Sequence, residues 1–176
     1  MRTLYLGIRT SLLPDSILRN ENENDFLAKT PYRYALQKVY ISFAPERNIR
    51  PGDIVVFYRN GVPGNAGHTA VLTSVAIVEE AISGFASKEE YMRHVQNRSV
   101  FTNEELEQFW RQHRGNQIVL KFVFVKSFAK RPILKFLWDA DIIKFPSGPR
   151  PFTRISDEQF NLILSEAQTD LSRYWR

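Results

Sequence analysis

The stretch that most constrains this chain is Arg50-Pro51-Gly52-Asp53-Ile54-Val55-Val56-Phe57-Tyr58-Arg59. A Pro-Gly-Asp turn runs directly into an uninterrupted apolar run too short for a helix, which predicts a strand. Side chains alternate along a strand, so Ile54, Val56 and Tyr58 face one way and Val55, Phe57 and Arg59 the other. Both faces are almost wholly apolar, and a strand of that kind sits inside a fold. Its two ends differ: a tight turn enters it, and Tyr58-Arg59 leave it for a glycine-rich loop. The functional surface is expected at the leaving end.

Other strands follow from the same pattern. Residues 3–8 and 38–43 read as strands, the second with Val39, Ile41 and Phe43 on one face. Residues 60–67 form a turn-rich hairpin loop, followed by a strand from His68 or Thr69 to residue 78. Residues 117–128 form a basic strand, and residues 132–138 a short strand or strand edge, since the leading proline cannot donate to a ladder. Leu13-Pro14-Asp15 signals a turn or helix start, residues 20–25 an exposed acidic connection or a first helical turn, and Pro31 the start of a short helix. Three helix starts carry capping-box grammar, a Ser or Thr with Glu or Gln three residues on: Ser87 with Glu90, Thr102 with Glu105, and Ser156 with Gln159. Their apolar stripes include Tyr91 and Val95, Leu106 and Trp110, and Phe160, Ile163 and Leu164. The stretch 145–154 is a stiff loop rich in proline, arginine and aromatics. Hairpin-joined strands with helices inserted at connections predict an α+β fold, a small, mainly antiparallel β-barrel decorated with short helices.

At 176 residues the chain fits a single domain spanning 1–176, with no linker dividing it. It has no cysteine and no apolar run near the ~18 residues of a membrane span, so a soluble, cytoplasmic protein is expected. The net charge of +5 is unevenly placed: between Arg111 and Lys135 every charged residue is cationic. Such a segment is either the footprint for a phosphate backbone or a solvated face whose counter-charges lie nearby in space. The glycine-rich loop is not a P-loop, because a lysine and a helix would have to follow it and His68 and a strand stand there. An acetyl-coenzyme A loop fails for the same lack of a helix. His68, His94 and His113 have no metal-ligand spacing, and no cofactor or metal is expected.

The blocks at residues 34–42, 49–59 and 70–79, with Arg150-Pro151-Phe152-Thr153-Arg154-Ile155-Ser156 and the helix after it, resemble the PUA-like superfamily. Within it they are most similar to ASCH and EVE type domains, and to the module that bacterial proteins carry after an acetyltransferase domain. The resemblance covers residues 34–167. It implies a curved sheet or pseudobarrel with a cleft for RNA, DNA or a modified base, and an acetyltransferase domain as partner in cis or trans.

The leading expectation is therefore a nucleic-acid-binding module, RNA ahead of DNA, that takes a nucleotide or modified base in an aromatic cleft with a basic rim. Tyr58, Trp138 and Phe152 are the candidates for stacking, Arg59, His68 and Arg150 for polar contact, and Lys121, Lys126, Lys130 and Arg131 for phosphates. Each aromatic has a competing role in the core, and His68 one as an ordinary loop residue. A second reading, implied by the resemblance, is an ASCH-like amidohydrolase acting on a modified nucleoside, with Lys38, Thr73 and Glu79 as candidates by residue type. A third is a regulatory protein-interaction module.

Overall fold

The structure, a computed structural model, describes residues 3–9, 37–43, 48–96, 98–99, 101–113 and 115–174. The turn at 13–15, the acidic connection at 20–25 and the helix expected from Pro31 lie outside the described residues. Among the described residues six strands form one sheet: β1 (Leu4–Arg9), β2 (Gln37–Ser42), β3 (Ile54–Arg59), β4 (Val71–Ser83), β5 (Ile118–Ser127) and β6 (Thr153–Ile155), in the order β2-β5-β4-β3-β1-β6. β3 has a neighbour on each side, as its doubly apolar sequence requires. It pairs in parallel with β1, Leu4 opposite Ile54, with a shift of register between Leu6 and Ile8. β6 runs antiparallel to β1, and β2 antiparallel to β5 from Gln37 opposite Val123 to Ser42 opposite Ile118. The sheet is mostly antiparallel and the fold α+β.

Five α-helices lie among the described residues: α1 (Ala66–Thr69), α2 (Lys88–Val95), α3 (Asn103–His113), α4 (Leu134–Asp139) and α5 (Asp157–Glu166). All three expected caps form. The Ser156 hydroxyl accepts from Gln159 N at 3.2 Å while Gln159 Oε1 accepts from Ser156 N at 3.0 Å. Thr102 and Glu105 exchange the same pair of bonds at 3.3 and 2.8 Å. Ser87 accepts from Glu90 N, but the Glu90 carboxylate reaches one residue further back, to Ala86 N at 2.8 Å.

Three local expectations are corrected. The strand expected from residue 68 or 69 begins at Val71, because Thr69 Oγ1 donates to Asn65 O and accepts from Val62 N, winding the preceding residues into α1. In residues 132–138, Ile133 makes a single bridge to Val71 and the chain then turns helical as α4. Leu134 and Leu137 face the core there, and Lys135 pairs with Asp139 one turn on. The loop expected at 145–154 gives its last residues to β6.

The chain divides into two compact units: unit 1 comprises Met1–Leu18, Asp53–Ala76 and Val125–Arg176, and unit 2 comprises Arg19–Gly52 and Ile77–Phe124. The core of unit 1 includes Leu6, Leu72, Leu137 and Ile163 together with Ile54, Val56 and Tyr58, the face of β3 read from the sequence. The core of unit 2 gathers Val39, Ile41, Tyr91, Val95, Leu106 and Val119. Each such buried side chain contributes about 1.5–3 kcal/mol relative to exposure.

Candidate functional site

At the leaving end of β3, unit 1 brings together four pieces of chain. The loop after Arg59 turns back tightly: a Cβ on Gly61 would sit 2.4 Å from Thr69 Oγ1 and 2.5 Å from Ala70 N. Gly67 of α1 lies flat against the ring of Trp138, where a Cβ would come within 2.8 Å of Cζ3. Trp138, on α4, donates its indole N–H to Ser147 O at 2.7 Å. Phe145 meets that indole edge-on, with centroids 5.0 Å apart and planes at 82°. Gly148 closes over the Tyr58 hydroxyl, which a Cβ there would approach to 3.3 Å.

The outcome is one held ring and one open ring. Trp138 is half-buried and pinned through its N–H, whereas Phe145 is 74% exposed. Of the sequence-derived candidates, Trp138 and the segments carrying Arg59, His68 and Arg150 meet at this place, with His68 and Arg150 exposed. Tyr58 and Phe152 belong to the interior, each 4% exposed, and neither presents a free face for stacking. Tyr58 is packed into the unit 1 core. Phe152 adopts a left-handed backbone conformation, φ 60°, and its ring stands edge-on to buried Tyr5, with centroids 6.2 Å apart. Phe145, absent from those candidates, is the ring that solvent reaches. Its signal in the sequence was an aromatic standing among turn formers, with no periodic apolar partner to bury it.

The basic segment is less bare in space than in sequence. Lys121, in unit 2, is 8% exposed and ion-paired with Glu80, so it forms no rim. Lys130 pairs with Glu166 and Lys135 with Asp139. Lys126 donates to Asp170 O at 3.4 Å, and Arg131 is half-buried. Glu80 and Glu166 come from distant parts of the chain and Asp139 lies one turn beyond the stretch, which is why a one-signed stretch did not leave its lysines unpaired. Exposed pairs of this type are worth only about 0–1 kcal/mol.

The amidohydrolase candidates do not share a centre. Lys38 stands opposite Phe122 in the β2–β5 ladder. Thr73 is buried, with its hydroxyl 3.5 Å from Phe57 O and 3.4 Å from Ser74 Oγ. Glu79 is exposed on the same strand six residues on, about 20 Å away at ~3.3 Å per residue, too far for both to act on one atom. Among the described residues no group of three or more His, Asp or Glu could hold a metal ion, and no helix is long and apolar enough to cross a membrane.

No protein-family model matches the chain, and no curated protein matches it in sequence. In three dimensions it is similar to the crystal structure of ASCH from Zymomonas mobilis, with a TM-score of 0.57 at 8% identity over 93% of this chain and 94% of that one. Two mutant forms of the Zymomonas protein give TM-scores of 0.58 at 9% identity and 0.55 at 10%, each over 93% of this chain and 96% of theirs. At such identities the likeness is one of fold.

Proposed function

With the ASCH fold as premise, we propose that this chain is a nucleic-acid-binding domain that receives a base against Phe145. The observation that carries the reading is a largely exposed aromatic ring braced by a tryptophan that is itself fixed by Ser147. A ring held in place loses little freedom when a base stacks on it, and such stacking is worth about 1–3 kcal/mol per base. Arg150, His68 and Arg59 supply polar contacts around the ring. Lys126, Lys130 and Arg131 supply phosphate contacts, since Lys130 exchanges an exposed carboxylate for a phosphate at small cost. RNA ahead of DNA, a modified base as the preferred ligand, a cytoplasmic location and an acetyltransferase domain in cis or trans complete the proposal on the strength of the sequence resemblance.

The test is fluorescence anisotropy with matched single-stranded RNA and DNA oligonucleotides, with and without base methylation. Phe145→Ala is expected to weaken binding roughly 5- to 150-fold, the equivalent of that stacking range, with an unchanged circular dichroism spectrum. Log affinity should fall linearly with log salt. Binding indifferent to both Phe145→Ala and salt refutes the proposal.

A further inference from the structure

In the loop that leaves β3, Thr69 Oγ1 accepts from Val62 N at 2.8 Å and donates to Asn65 O at 2.7 Å. Ala70 N bonds back to Ala66 O at 2.9 Å, which completes the single turn of α1. Directly after that turn, Ala70 O accepts at 2.9 Å from the backbone N–H of Leu134, the first residue of α4. The two short helices are therefore tied together at one end, and Gly67 of the first meets Trp138 of the second.

Gly67 has a helical backbone that any residue adopts, so it is space rather than φ that calls for glycine there. The three atoms nearest to a Cβ at that position would be Cζ3, Cη2 and Cε3 of Trp138, at 2.8, 3.3 and 3.8 Å. A methyl group fits only if the indole retreats until the first of these lies at 3.4 Å or more. That retreat has a consequence, because the indole N–H is held by Ser147 O at 2.7 Å and its ring meets Phe145 at a centroid distance of 5.0 Å. Ser147 N in turn donates to Lys144 O at 2.9 Å, closing a turn that carries Phe145. An indole displaced from Gly67 loosens the bond that anchors this turn.

We infer that Gly67 is a positioning residue for base binding at Phe145: it makes no contact with the base and acts by leaving room for Trp138 to sit where its N–H reaches Ser147. The inference rests on the reading of Phe145 as the stacking ring, and it adds to that reading a residue on a different element. Its effect has a signature of its own. A ring already in place spares the complex the cost of ordering it, so loosening its seat lowers affinity without removing a contact. The phosphate contacts stay as they are, and the dependence on salt keeps its slope.

The experiment is a double-mutant cycle of Gly67→Ala and Trp138→Phe, read by anisotropy with single-stranded oligonucleotides, together with hydrogen exchange of the Trp138 indole N–H followed by NMR in the free protein. Phenylalanine lacks the outer-ring atoms that meet Gly67 and the N–H that meets Ser147, so it removes the clash and the donor together. Gly67→Ala should weaken binding about 2- to 10-fold at an unchanged salt slope, the equivalent of one side chain left to be ordered in the complex. Exchange of the indole N–H should speed up by roughly 2- to 10-fold, as the loss of one hydrogen bond supplies. Trp138→Phe should weaken binding at least as much as Gly67→Ala, and in its background Gly67→Ala should change affinity by less than about twofold, since the two act through one contact. Additive losses, wild-type affinity in Gly67→Ala, or an indole proton that exchanges at the wild-type rate in that variant each overturn the inference. Phe145→Ala reads the stacking site separately: if it binds like the wild type, that reading falls, while indole exchange in the free protein still tests the seat that Gly67 provides.

Discussion

Unit 1 and unit 2 use their aromatic residues differently. In unit 2, Tyr91 packs against Phe85 and Trp110, both at centroid distances of 5.5 Å, and Phe101 meets Phe109 edge-on at 4.9 Å. Even the more exposed ring there, Phe43, already stacks on His113 at 3.8 Å. In unit 1, Trp138 and Phe145 meet at the surface, and the outer ring stays open. The polar handles differ in the same direction. The Trp138 N–H is satisfied, whereas the Tyr91 hydroxyl and both polar atoms of the Gln117 amide are buried without a hydrogen-bond partner among the described residues. An aromatic cluster of the first kind holds a unit together. An aromatic pair of the second kind is available to a ligand, and the distinction rests on accessibility rather than on residue type.

The sharpest way to break that contrast lies within unit 1. Tyr58→Ala should destabilise the protein by about 3–5 kcal/mol, as for other large aromatics emptied from a core, whereas Phe145→Ala should change stability by less than about 0.5 kcal/mol. Urea denaturation of both variants checks this, and similar midpoints would place the two rings in the same environment. Gly61→Ala should cost about 1–3 kcal/mol, because the new methyl meets the backbone at Thr69 and Ala70 as well as the Thr69 hydroxyl, and the backbone cannot swing aside. The same denaturation series, with oligonucleotide binding measured alongside, shows whether the loop site depends on that close approach.

In unit 2 the expected effects are smaller and depend on pH. Burial pushes the Tyr91 phenol up to about 12 from an ordinary value of 10.0, the nearby Gln117 amide, which lies outside hydrogen-bond geometry, opposing the shift only in part. Between those values the unfolded chain has released a proton that the folded chain retains, so stability falls as pH rises through that window. Tyr91→Phe should abolish this alkaline loss and, by removing an unpaired buried hydroxyl, leave neutral-pH stability unchanged or slightly higher. Thermal melts from pH 8 to 11 would register it, and a variant with the wild-type pH profile would show that Tyr91 is not the group responsible. Smallest of all, Lys130→Gln should cost less than about 1 kcal/mol, since its pair with Glu166 is solvent-exposed. A larger loss in a denaturation curve would mean that Lys130 carries packing as well as charge.

Much of the scaffold could be read in advance because it is written in short-range terms. The faces of β3, the strand at 37–42 and the three caps each depend on residues within one turn or one strand of each other. The site was legible only in part. The sequence put the candidate site where Tyr58-Arg59 run into a glycine-rich loop, and in the structure that loop leads to Gly67, which packs against Trp138. Between stacking and a core role for Tyr58 and Phe152 the sequence left the choice open, because an aromatic at a strand end or in a proline-rich loop looks the same in sequence whether its neighbours cover it or not, and both are buried. The burial of Lys121 against Glu80 was hidden for a similar reason, since Glu80 precedes it by 41 residues.

What the amino-acid order determined by itself was local: which segments extend, which coil, where helices begin, and which side of β3 turns inward. Periodicity and capping act over a few residues and do not depend on what lies across the fold. Tertiary structure alone decided that β1 lies parallel to β3, that lysines from an acid-free stretch meet distant carboxylates, and that Phe145 rather than Phe152 faces solvent. Those outcomes depend on contacts between residues far apart in the chain, and both burial and charge pairing are properties of the assembled neighbourhood rather than of the residue that experiences them.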